Sequence, residues 1–113
     1  MGHYIQAVSV RWFNACAHYA LSLARGLVAC GHRVTIAGSA GIPVLAEARK
    51  WGLEVLEGPR MESPNPVAYL KGIAAFRQYV RKHDVSLVNV HTGSDHFMWA
   101  LALRKTGIPL VRT

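Results

Sequence analysis

The chain has 113 residues, enough to bury one hydrophobic core but not two. With 51% hydrophobic and 17% charged residues it cannot be a disordered chain, and its net charge of +7 favours anionic partners such as phosphates, nucleic acid or an acidic membrane face. No apolar run approaches the roughly 20 residues of a membrane span, and Met1 leads into a strand-like segment without a signal region. We therefore expect a cytoplasmic protein, with peripheral contact at the inner face of a membrane as one option.

The first half of the chain alternates strand and helix patterns. Tyr4–Val10 is rich in β-forming residues and predicts a first strand. A helix follows because Asn14 can cap its start, apolar residues then recur at helical spacing, and Gly31 can end it. Arg33–Ala37 predicts a second strand, and Val44–Trp51 predicts a short second helix.

The second half continues this alternation. Leu53–Glu57 predicts a third strand, and the prolines and glycine of Gly58–Pro66 predict a loop. A longer third helix then precedes a fourth strand at Leu87–Val90. Asp95–Lys105 predicts a fourth helix, and a fifth strand begins within Ile108–Arg112.

This alternation predicts one α/β domain over residues 1–113. The expected fold is a doubly wound, Rossmann-like parallel sheet of about five strands, ordered 3-2-1-4-5, with helices on both faces. In that order the winding reverses between strands one and four, and ligands bind at the carboxyl ends of the strands that flank the reversal. The loops Arg11–Ala15 and His91–Asp95 should line this crevice.

The loop after the fourth strand, "HTGSDH", is dense in polar side chains. His91 ends a buried strand where a plain core would keep Val or Ile, so we expect a ligand contact there; a hydrogen-bonded structural histidine is the alternative. Ser94 is expected to cap the fourth helix, and Asp95 in its first turn complements the helix dipole. The spacing of His91, Asp95 and His96 does not put the three side chains on one helical face, so we predict no metal site.

The loop after the first strand excludes several nucleotide-binding classes. It has neither a G-x-G-x-x-G pattern nor a P-loop lysine motif, so we predict no NAD, no FAD and no other cofactor. The helix start at Asn14 and Ala15 still offers backbone amides to a phosphate. A receiver domain would need acids where this chain has Arg11 and Gly58, although a non-catalytic flavodoxin-like or anion-binding module remains the alternative. No recognition helix or aromatic platform indicates a nucleic-acid partner.

Four segments, in their order along the chain, resemble the N-terminal Rossmann-like domain of retaining GT-B glycosyltransferases. The resemblance is to glycosyltransferase family 4, also called the group 1 type. These segments are "LSLARGLVACGHRVTIAG" (Leu21–Gly38), "WGLEV" (Trp51–Val55), "VSLVNVHTG" (Val85–Gly93) and "ALALRKTGIPLVRT" (Ala100–Thr113). Their order and spacing cover essentially the whole chain.

The resemblance implies a two-domain enzyme of glycan biosynthesis. In that family the N-terminal domain holds the acceptor, a glycan, a lipid or a small molecule, and the C-terminal domain binds the nucleotide-sugar donor. His91 matches a histidine that lines the reaction centre in relatives, and three residues are expected to shape acceptor binding: Arg11, Asp95 and His96. The family's Gly-Gly loop near the donor diphosphate falls on Asn14 and Ala15, and this sequence departs from the pattern at both positions.

Two further expectations concern the chain by itself. Without the donor half of the cleft it should not transfer sugar. The fourth helix is apolar nearly all round from Phe97 to Leu103, which predicts an apolar surface that is covered by self-association as a homodimer.

Overall fold

The computed structural model describes residues 2–10, 14–58 and 66–113. Within these ranges five strands alternate with four helices. In chain order the elements are β1 (His3–Ala7), α1 (Ala15–Ala29), β2 (Arg33–Ser39), α2 (Pro43–Lys50), β3 (Glu54–Gly58), α3 (Pro66–Lys82), β4 (Leu87–Val90), α4 (Gly93–Ala102) and β5 (Leu110–Arg112). All strand pairs are parallel, and the sheet order is β3-β2-β1-β4-β5. The predicted doubly wound sheet is therefore confirmed.

Two apolar layers hold the helices on the sheet. On one face, α1 and α2 pack through buried residues such as Leu21 and Leu45. On the other face, α3 and α4 pack around Trp99, which is fully buried and stacks on Phe76 with 4.3 Å between the ring centroids. The alternation of side chains along each strand supplies both layers, since successive residues point to opposite faces.

The caps of α1 follow the prediction. Asn14 has extended backbone geometry, and its side-chain oxygen accepts a hydrogen bond from the Ala17 amide at 3.1 Å. Gly31 follows the last turn with a φ of 90°, a conformation that glycine adopts without steric cost.

The start of α4 differs from the prediction. The cap is Thr92, whose hydroxyl accepts a hydrogen bond from the Asp95 amide at 3.2 Å, and the expected cap Ser94 lies exposed in the first turn. Both hydroxyl side chains suit the capping role, and extended backbone geometry at Thr92 decides between them. The helix also ends at Ala102, before Lys105, which has a φ of 63°.

The apolar surface of α4 is mostly covered within the domain. Met98 and Trp99 are buried and Leu101 is half-buried, whereas Phe97 is 63% exposed. On α4 the predicted self-association would therefore use Phe97, and it stays a prediction. Among the described residues, none of the helices combines the length and the apolar character that crossing a membrane would require.

Candidate functional site

The carboxyl ends of β1 and β4 lie side by side at the reversal of the sheet. Ala7 pairs with Val90, and the His91 amide donates to the Ala7 carbonyl at 3.0 Å. The loops after these two strands thus begin next to each other, as the sequence predicts. Arg11, which we expect in the first of these loops, lies outside the described residues.

His91 stands at this junction with its ring half-buried. Its Nε2 lies 2.8 Å from the side-chain oxygen of Gln6, and the ring of Tyr19 on α1 approaches edge-on at 6.2 Å between centroids. Burial lowers the pKa of His91 from its ordinary value, and the negative charge of Asp95 opposes this effect more weakly. The imidazole is therefore held mainly in its neutral form at pH 7.

Two buried amides support His91 from inside the sheet. Gln6 on β1 and Asn89 on β4 are register partners, and Asn89 Nδ2 donates to Gln6 Oε1 at 3.1 Å. The Thr113 hydroxyl in turn donates to Asn89 Oδ1 at 2.9 Å. Sequence analysis did not identify Gln6 or Asn89 as functional residues. The available signal was that both are amides in the interior of strands, where apolar residues predominate.

Asp95 is buried and joins the loops around the crevice. Its carboxylate accepts from the Ser9 amide at 2.6 Å, the Ser9 hydroxyl at 2.6 Å and the Thr92 hydroxyl at 2.7 Å. The Ser39 amide at the end of β2 donates to the same Ser9 hydroxyl at 3.0 Å. The Asp95 carboxylate therefore connects the ends of three strands. Its expected contact with an acceptor stays a prediction.

Two helix starts open toward this region. The side chain and carbonyl of Asn14 take the amides of Ala17 and His18, which leaves the first α1 amides, at Ala15 and Cys16, without an intrahelical partner. At α4, Thr92 likewise takes the amides of the third and fourth helical residues. Such helix starts carry partial positive charge and suit anionic groups.

The remaining polar side chains of this segment, Ser94 and His96, are at least partly exposed to solvent. Ser94 is exposed and its hydroxyl lies 3.2 Å from that of Thr92, while His96 is half-buried. Over the described ranges, we find no set of three His, Cys, Asp or Glu side chains arranged to hold a metal ion. The crevice thus offers a neutral imidazole, hydroxyl groups and helix-start amides, which suit hydrogen bonding to hydroxylated and phosphorylated ligands.

The sequence profile of the family described as Glycosyltransferase Family 4 matches residues 16–113. No curated protein sequence matches the chain. The solved structures that share its fold include the following three. MurG from Acinetobacter baumannii has 17% identity and a TM-score of 0.81, over 99% of this chain and 34% of that one. A glycosyltransferase from Rickettsia africae ESF-5 has 19% identity and a TM-score of 0.75, over 98% of this chain and 29% of that one.

The third structure is Anabaena Alr3699/HepE in complex with UDP and glucose. It has 13% identity and a TM-score of 0.74, over 97% of this chain and 29% of that one. At these identities the likeness concerns the fold. The chain spans about a third of the length of the three proteins.

Proposed function

The chain belongs to glycosyltransferase family 4, and from this we propose that it is the acceptor-side, N-terminal domain of a two-domain GT-B enzyme. The enzyme would move a sugar from a nucleotide-sugar donor to an acceptor hydroxyl with retention of anomeric configuration. The observation that carries the proposal is His91, half-exposed and bonded to Gln6 at the reversal of the sheet, in a chain that matches the family over residues 16–113. UDP and glucose in the Anabaena structure support a nucleotide sugar as the donor.

Each site residue receives a role in this proposal. His91 contacts the reacting sugar or the acceptor hydroxyl, and His96 and Arg11 shape the acceptor side. The amides at the start of α1, next to Asn14 and Ala15, face the donor diphosphate, where partial positive charge stabilises the departing phosphate. Asp95 contributes by fixing the loop that carries His91, through its bonds to Ser9 and Thr92.

The donor-binding half must come from elsewhere in the enzyme. The chain covers 29–34% of the MurG, Rickettsia and Anabaena structures, and the proposed cleft needs two domains. We therefore expect no sugar transfer and only weak nucleotide-sugar affinity from the 113-residue chain alone.

The charge and the exposed apolar residues of the chain bear on whether the enzyme contacts a membrane. The net charge is +7, and on α3 the exposed Val67 and Leu70 lie next to the exposed Lys71. A cation beside apolar side chains, on a chain of positive net charge, suits an anionic membrane face, so we propose peripheral contact of a cytoplasmic enzyme with such a membrane. Cosedimentation should then occur with anionic vesicles and not with zwitterionic ones.

The proposed activity is tested in the full-length product of the gene that encodes this chain. Release of nucleoside diphosphate from a panel of nucleotide sugars should depend on an added acceptor, and NMR of the product should show the anomeric configuration of the donor. His91→Ala should lower turnover by about 10²-fold or more, as for loss of a positioned contact at the reacting centre.

The matched control is His32→Ala, at the turn that precedes β2 and at the opposite end of the sheet, which should keep turnover within a few-fold. Failure to release nucleotide from any sugar donor would overturn the proposed transferase. Equal turnover in the His91→Ala and wild-type proteins would overturn the role of His91 alone.

A further inference from the structure

Two buried side-chain amides lie in the middle of this sheet, where burial of polar groups is energetically unfavourable. Gln6 is 2% exposed and Asn89 is 8% exposed, and they sit opposite each other on β1 and β4. Burying polar groups costs free energy unless hydrogen bonds compensate, and an apolar pair would fill the same space without that requirement. The neighbouring buried positions on these strands, Ile5 and Val88, are indeed apolar. The amides therefore call for a reason beyond packing.

The hydrogen bonds of Gln6 supply that reason. Its side-chain oxygen lies 3.1 Å from Asn89 Nδ2 and 2.8 Å from His91 Nε2. A carbonyl oxygen only accepts hydrogen bonds, so both nitrogens must donate to it, and Nε2 of His91 carries a proton. In a neutral imidazole the other ring nitrogen, Nδ1, then has a free lone pair. Among the hydrogen bonds of the described residues, none occupies His91 Nδ1.

The surroundings hold the ring in this arrangement. Asn89 is itself anchored by the Thr113 hydroxyl, so turning the Gln6 amide alone would lose the hydrogen bond from Asn89 Nδ2. Tyr19 packs edge-on against the imidazole from α1, with 66° between the ring planes. Of the described titratable groups, Asp95 and Tyr19 face His91.

We propose that Gln6, held by Asn89, is a positioning residue that keeps His91 in the Nε2–H tautomer, so that Nδ1 accepts a hydrogen bond from a sugar or acceptor hydroxyl. This inference rests on the proposed function for the identity of the hydroxyl, but not for the tautomer. The chemistry selects for a ligand group that donates a hydrogen bond. Burial lowers the pKa of His91 and so keeps the accepting lone pair available near neutral pH.

The tautomer can be read directly by NMR of the imidazole nitrogens. The uniformly ¹⁵N-labelled 113-residue chain is measured at about pH 8, where histidine is neutral, and His91→Ala identifies the His91 signals by their loss. We expect a protonated Nε2 and an unprotonated Nδ1. A wild-type chain with its proton on Nδ1 would overturn the proposal.

Two variants test whether Gln6 sets this state. Gln6→Leu removes the acceptor and should leave His91 as a mixture of both tautomers, while Gln78→Leu, on the exposed side of α3, should change nothing. Gln6→Glu keeps an acceptor and adds a negative charge, so it should preserve the Nε2–H tautomer and raise the pKa of His91 by about 1–3. An unchanged tautomer in a folded Gln6→Leu chain would overturn the proposal.

If Gln6→Leu fails to fold, the Gln6→Glu chain decides the question, because a His91 titration identical to wild type would show that the two side chains are not in contact. Neither readout needs a substrate. A failed transfer assay would therefore refute the proposed function and leave the tautomer result standing. A wrong tautomer would refute the role of Gln6 and leave the transfer assay unaffected.

Discussion

Asp95→Ala should be one of the most destabilising single changes around the crevice of this protein. The substitution removes the acceptor for three hydrogen bonds, from the Ser9 amide, the Ser9 hydroxyl and the Thr92 hydroxyl. It also removes a negative charge from the first turn of α4. Because Asp95 is 4% exposed, water cannot fully replace it as the acceptor.

The expected loss follows from these contacts. Each hydrogen bond to a charged group contributes about 1.5–3 kcal/mol when its partner is fully buried, but Ser9 and Thr92 are half-buried and can recover part of this from water. Counting about 1 kcal/mol for each of the three bonds and about 0.5 kcal/mol for the helix dipole gives about 3–4 kcal/mol. Against a typical domain stability of about 5–15 kcal/mol, this is a large fraction.

Asp95→Asn separates geometry from charge. The amide oxygen can keep accepting from the Ser9 amide and the Thr92 hydroxyl, and the new NH₂ group can donate to the Ser9 hydroxyl, which would turn its own proton elsewhere. We expect a loss of about 1–2 kcal/mol, clearly smaller than for alanine. The matched control is Asp84→Asn at an exposed turn, which should stay within about 0.5 kcal/mol of wild type.

Urea unfolding followed by tryptophan fluorescence measures all three variants, since the buried Trp99 reports loss of the α4 packing. The midpoint should fall while the dependence of the unfolding free energy on urea stays constant. If Asp95→Ala costs less than about 1 kcal/mol in a chain with a native spectrum, the carboxylate does not join the loops as described.

Four further outcomes are expected. In the full-length protein His91→Ala should cut turnover by about 10²-fold with little change in melting temperature, whereas a sharp fall in melting with activity retained per folded molecule would make His91 structural. Burial lowers the pKa of His91 below 6.5, so the unfolded chain binds the proton before the folded chain does, and the free energy of unfolding should fall as the pH drops through about 6.5. His91→Gln should show a smaller fall over the same pH range, and a fall equal to that of wild type would contradict this. Light scattering at micromolar concentration should show self-association that Phe97→Ser reduces, and a monomeric wild-type chain would refute it. Calorimetry should find no micromolar nucleotide-sugar affinity in the isolated chain.

The fold could be predicted because buried strands and helices require apolar residues at regular spacings in the sequence. β4 has the predicted bounds, Leu87–Val90, since three of its four residues are buried and the fourth is half-buried. The sheet order follows from the handedness of parallel crossovers and needs no knowledge of individual contacts. The ends of elements were less accurate: β1 ends at Ala7 and not at Val10, because the Ser9 amide bonds to a side chain instead of continuing the strand ladder.

The position of the candidate site in the fold could be predicted from the sequence, but the contacts between its side chains could not. The sequence located the crevice and His91, but it could not pair His91 with Gln6, 85 residues away, or Asp95 with Ser9, 86 residues away. These contacts depend on how closely two loops approach, which side-chain periodicity does not report. The choice of Thr92 over Ser94 as the cap failed for a related reason, because it turns on backbone geometry at one residue.

The six-residue segment from His91 to His96 therefore contains two kinds of polar residue. His91 continues the alternation of β4, so its side chain shares a face with Asn89 and reaches the amide of Gln6. Asp95, in the first turn of α4, points inward to Ser9 and fixes the loop. Substitutions at the two positions should therefore have different effects: changes at Asp95 should lower stability and activity together, and changes at His91 should lower activity while the fold persists. Under the proposed function His91 faces the substrate, whereas the hydrogen bonds of Asp95 hold the segment in place, and the different partners of the two side chains account for this difference.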